Sequence, residues 1–163
     1  EEMVVDRYAA RIDVAVVNGA LHGFEIKSAR DTLARLPRQV ESYARVFDTV
    51  TLVVAERHLA RATEVAPVWW GIEVAVPSER GDGTLRRHRR ATQNPAVDPL
   101  ALAALLWRAE AIALLDERGL AVGLRGRPRR ELWTALAELV PVEELGQYVR
   151  GCLRARSGWR APS

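Results

Sequence analysis

The chain has 163 residues, 48% apolar and 28% charged, which fits a soluble globular domain with a real core and excludes a disordered polypeptide. A single cysteine, Cys152, excludes an internal disulfide and favours a reducing, cytoplasmic setting, and the longest apolar runs, such as residues 51–55, are far too short to cross a bilayer. Net charge is only +3, but residues 1–79 carry 9 basic and 12 acidic side chains (net −3) and residues 80–163 carry 15 and 9 (net +6), so the second half is the anion-binding half.

Residues 11–17 and 21–27 are β-rich runs separated by Asn18-Gly19, a hairpin signal, and predict two antiparallel strands. Pro37 suits the first turn of a helix reaching Phe47, with Val40, Ala44 and Phe47 as its buried stripe. Residues 49–55 form a nearly continuous apolar run, as expected of a strand covered on both faces. A helix over 57–66 and a strand over 71–77 follow. The order β-β-α-β-α-β predicts an α/β domain over residues 1–77, a mixed sheet flanked by helices.

Residues 78–99 lack an apolar period and concentrate Gly, Pro and Arg, so they read as a basic linker or long loop. The rest, 100–163, becomes a small helical region. Leu102, Leu105, Leu106 and Ile112 begin one apolar face, and Gly119 stops it. A second helix starts at Pro128 and runs through Leu139, and a third covers 142–155. Trp107 and Trp133 fall within helical apolar stripes and are assigned to packing.

Lys27 is the one lysine in a chain with 23 arginines, and it stands two residues after Glu25. Alternate side chains of a strand share a face, so Glu25 and Lys27 point one way while Phe24 and Ile26 point into the core. Asp13 meets Glu25 only if the paired residue numbers of the hairpin sum to an even value, as a three-residue loop or a bulge at Gly19 would give; that register is the one expected. Facing carboxylates repel unless a cation lies between them, and Mg2+ or Mn2+ fits that role. An ammonium beside a metal-bound water suits phosphodiester hydrolysis, and a guanidinium would not substitute for it. The plainer alternative is a solvated strand face.

Asp13 followed by Glu25-Ile26-Lys27 resembles the signature of the PD-(D/E)xK superfamily, the restriction-endonuclease-like nucleases, and Gln39 with Tyr43 resembles the Q-h-x-x-Y element of its RecB-like branch. The resemblance implies a Mg2+-dependent nuclease acting on nucleic acid, DNA above all. It also implies Asp13, Glu25, Lys27, Gln39 and Tyr43 as the catalytic set. The metal ligands it implies are Asp13, Glu25, the Ile26 backbone carbonyl and an acid from a first helix, Glu2 or Glu1. The sequence departs from the pattern at Ile12, which stands where the superfamily has proline, and in lacking most of that first helix. A nucleic-acid-binding module without turnover and a regulatory interaction protein are the rival functions.

Arg125, Arg127, Arg129 and Arg130 gather at the start of the second C-terminal helix, where positive charge opposes the helix dipole, so a phosphate or a neighbouring acid such as Glu131 must compensate. The helix, Gly-rich loop and helix loosely resemble SAP-type DNA-binding modules. Arg86 and Arg87 begin a second basic cluster that could contact phosphate or stay solvated.

Overall fold

A computed structural model of the chain describes residues 3–5, 10–78 and 83–156. Its contacts divide it into two compact units, Glu1–Ala96 and Val97–Ser163. The first unit is α/β: a five-stranded mixed sheet flanked by helices, with a two-stranded sheet beside it.

Strand β1 (Met3–Val5) pairs antiparallel with β2 (Ala10–Ile12). The chain bends at Asp13 and continues as β3 (Val14–Val17), which turns through residues 18–20 into β4 (Leu21–Lys27). Val17 pairs with Leu21 and Val14 with Phe24, so the even-sum register is the one found. Gly19 has φ +98°, which a side-chain-bearing residue rarely adopts. The continuous strand expected over 11–17 is thus two strands, and the break at Asp13 sends β2 to pair with β1.

Helix α1 (Leu36–Ala44) takes Pro37 in its first turn, where a missing N–H costs nothing. It ends at Ala44, short of the expected Phe47; its buried residues are Leu36, Ser42 and Tyr43, with Phe47 buried just beyond it, while Val40 and Ala44 are only half-buried. Strand β5 (Thr49–Ala55) lies parallel between β4 and β6 (Gly71–Val76), which explains its unbroken apolar run. A 3-10 turn (Glu56–His58) and α2 (Leu59–Val65) join β5 to β6.

Residues 84–89, expected to be loop, form β7 (Thr84–Arg89), antiparallel to β6 at the edge of the sheet. A strand exposed from Thr84 to His88 shows no alternation of polarity, and arginines at an edge discourage pairing with other chains. Beyond β7 the chain straps back over the sheet. Ala91 crosses Gly71 so closely that a Cβ there would meet the Ala91 amide at 2.9 Å. Asn94 then pins the strap. Its side-chain amide donates to the Ala44 and Phe47 carbonyls at 2.7 and 2.9 Å, and its backbone N–H donates to the Asp48 carbonyl.

The second unit is helical. Asp98 caps α3 (Pro99–Ala103) by accepting from the Leu100 and Ala101 amides. The helix expected across 102–118 is interrupted: α4 (Arg108–Glu117) starts afresh after Trp107. Trp107 is 57% exposed rather than packed, with the Arg156 guanidinium 4.4 Å above its ring, whereas Trp133 is buried as expected. Gly119, at φ +68°, ends α4 with paired bonds from Gly119 N to Asp116 O and Leu120 N to Leu115 O, a Schellman motif. Helices α5 (Arg129–Leu139) and α6 (Val142–Ala155) match their expected extents. Leu114, Leu132, Leu136 and Leu145 fill the core between them.

Candidate functional site

Helix α1 covers the sheet face that carries Gly23, Glu25 and Lys27; a Cβ on Gly23 would meet Ile12 and Phe47. That placement reverses the expected faces of β4. Glu25 is 1% and Lys27 7% exposed, while Ile26 is 48% exposed and Phe24 is only half-buried. The apolar side chains yield the inner face because polar partners wait there on α1.

Lys27 Nζ lies 2.6 Å from Glu25 Oε1. Gln39 Nε2 donates to the same oxygen at 2.5 Å, and the Tyr43 hydroxyl stands 2.7 Å from Glu25 Oε2 and 2.6 Å from the Arg11 carbonyl. One hydroxyl proton serves one of these acceptors at a time, and the carboxylate is the stronger. Burial, reinforced by Glu25, pushes the Tyr43 phenol well above its ordinary pKa, so it stays a donor. The expected residues Glu25, Lys27, Gln39 and Tyr43 therefore do meet. Asp13 joins from the bend: its Oδ2 accepts the Ile26 amide at 2.8 Å. By the register of β3 and β4 that amide would next have met Ile12, so the carboxylate stands in for a lost ladder acceptor. Glu1 and Glu2 lie outside the described residues.

A divalent cation does not fit these donors as they stand. Both Glu25 oxygens are already engaged, one of them by an ammonium, and a cation would have to displace Lys27 from a buried position. Among the described residues no three His, Cys, Asp or Glu side chains are grouped to hold a metal.

The basic residues fall on two separate elements. Arg86 and Arg87 lie on β7 with Arg89, and Arg90 follows directly. Arg86 pairs with Glu56 at 2.8 Å and Arg87 with Glu73 at 3.8 Å, all at the surface or near it. Arg89 turns inward, donating to the Trp70 and Pro67 carbonyls at 2.7 and 2.8 Å. No partner of Arg90 is found among the described residues. In the second unit Arg125 pairs with Asp116 at 2.7 Å, Arg127 with Glu131 at 3.7 Å, and Arg129 stacks 4.8 Å from the Trp133 ring centroid. Arg130 extends into solvent. Arg108 fixes the loop before α5, donating to the Arg125 and Arg127 carbonyls at 2.5 Å each.

The other face of the sheet carries a second cluster. His22 and Phe24 lie against each other there, with ring centroids 4.4 Å apart and planes tilted by 48°, and the His22 nitrogens bond the Thr49 and Thr51 hydroxyls. Burial lowers the His22 pKa, against the opposing pull of Glu73. Three dispersed histidines carry no signal of this in the sequence, whereas the alternation of 21–27 puts His22 and Phe24 on the outer face once Glu25 and Lys27 face inward.

The family described as Bacteriophage P4 protein cII matches residues 1–160. "Protein cII" of Enterobacteria phage P4 is 40% identical over 63 residues, which cover 39% of this chain and 24% of that protein. The match thus spans about a quarter of the curated relative's length. No solved structure matches the chain significantly. These matches overturn assignment to the PD-(D/E)xK superfamily, and with it the expectation of a restriction-endonuclease-like nuclease, a Mg2+-dependent hydrolase. Matched over nearly its whole length, the chain belongs to the bacteriophage P4 protein cII family.

Proposed function

We propose that this chain is a regulatory protein that binds nucleic acid, DNA foremost, without cleaving it. The observation that carries the proposal is the edge strand β7 and its continuation, which set Arg86, Arg87 and Arg90 in solvent along one border of the sheet. Exposed arginines spaced along an extended backbone suit a row of phosphates, and their surface ion pairs with Glu56 and Glu73 are weak enough to exchange for them. Arg130 and its neighbours before α5 give the second unit a further basic patch. The filled hydrogen bonds of Glu25 support binding without turnover. Occupancy of a site is then the output itself, which is the mode of action of a regulator. The lone Cys152 agrees with a reducing cytoplasmic setting. Among the described residues no helix is long and apolar enough to cross a membrane.

Electrophoretic mobility shift with a labelled DNA fragment in Mg2+ tests the proposal. A retarded band, weakened by Arg86→Ala with Arg87→Ala and Arg90→Ala, and DNA recovered at full length are expected. An unretarded fragment, or a cut one, contradicts it.

A further inference from the structure

Between β7 and the exposed side of β4 and β5 runs a groove of roughly 390 Å³ lined by His22, Phe24, Thr51, Glu73, Arg87 and Arg90. The chain after β7 passes Gly71 so closely that a side chain there would strike the Ala91 backbone, and Arg90 lines the groove together with the aromatic pair. Its floor is half-exposed ring surface, and three arginines line it against one glutamate; Arg89 is held by the Trp70 and Pro67 carbonyls, which leaves Arg87 and Arg90 at the rim. Phe24 and His22 are only half-buried there, so ring surface stays open to the groove beside the arginines.

We infer that this groove receives an unpaired nucleotide, its base against Phe24 and His22 and its flanking phosphates at Arg87 and Arg90. Every base offers a π-face to an aromatic platform, and arginines beside it track the backbone. A duplex keeps its bases stacked and cannot present one to a recessed ring, so the groove adds affinity only for single strands. The inference rests on the nucleic-acid reading above and refines it, since the β7 arginines alone would hold either form.

Fluorescence anisotropy with a short labelled single-stranded oligonucleotide, as DNA and as RNA, and a hairpin duplex of the same sequence separates the two levels. Phe24→Leu keeps the apolar volume and discards the ring; Phe24→Tyr keeps the ring. Phe24→Leu is expected to weaken single-strand binding about tenfold while leaving the duplex within about twofold, and Phe24→Tyr to leave both unchanged. Arg90→Gln, at an exposed position, is expected to weaken single-strand binding with the fold intact. If wild type binds duplex but Phe24→Leu affects neither form, or both equally, the groove assignment is overturned and the nucleic-acid reading stands. If wild type binds no form, both fall.

Discussion

Lys27 Nζ and Glu25 Oε1 lie 2.6 Å apart, two residues along one strand, beneath α1 and almost closed off from solvent. A buried ion pair of this kind holds its surroundings in place because neither charge tolerates the loss of the other. It also explains why the chain keeps one lysine among its arginines. A compact ammonium fits under Tyr43 and Gln39 where the wider guanidinium fork would not.

Replacing Lys27 with Met leaves the Glu25 carboxylate buried and uncompensated, and unfolding in urea should show a loss of about 3 kcal/mol. Adding Glu25→Gln removes the stranded charge; its amide oxygen still accepts from Gln39, and its NH2 group can donate to the Tyr43 hydroxyl, which then donates to the Arg11 carbonyl. The double variant should therefore recover more than half of that loss. A double variant that adds a further full penalty would show that the two residues act independently.

The strap after β7 makes a separate prediction. Asn94→Ala leaves the Ala44 and Phe47 carbonyls without their donor, and should cost about 2 kcal/mol in the same measurement. Gly71→Ala drives a methyl into the Ala91 backbone and should cost between about 1 and 3 kcal/mol. An unaltered midpoint in both variants would mean that the strap is not packed across the sheet.

What the sequence disclosed of this fold depended on how local the signal was. Asn18-Gly19 and the spacing of Asp13 and Glu25 were enough for the hairpin register, because a turn and its flanking strands are neighbours in the chain. Lys27 and Glu25 were legible because the lysine broke a compositional rule, whereas Gln39 and Tyr43 came in only through the resemblance to the PD-(D/E)xK superfamily. Their environment was not legible. Strand alternation assigns polar side chains outward by default, and only the partners on α1 turn Glu25 and Lys27 inward. Strand β7 was hidden for the converse reason, since an edge strand exposed from Thr84 to His88 carries no alternating polarity. Asp13, Glu25, Lys27, Gln39 and Tyr43 do not identify the family, because five residues of these types can form a structural hydrogen-bond and ion-pair network as readily as a catalytic one.

His22 contributes to the response to acid. Burial holds its folded-state pKa below the ordinary value of about 6.5, so the unfolded chain takes up the proton first as pH falls. The stability its neutral ring contributes is full above the unfolded pKa and is lost as pH drops through the depressed folded value. The wild-type melting temperature should fall between about pH 7 and pH 5, and His22→Gln should flatten that part of the profile. An identical slope in the two proteins would assign the acid response to other groups.

The most direct test of the central claim is the salt dependence of DNA binding, measured as log Kobs against log salt concentration for wild type and for the combined Arg86→Ala, Arg87→Ala and Arg90→Ala variant. Each phosphate contact contributes about 0.9 to the slope on duplex DNA, so removing three should flatten it by about 2 to 3 and weaken binding at every salt concentration. Equal slopes for the two proteins would contradict the assignment of the β7 border as the nucleic-acid-binding surface.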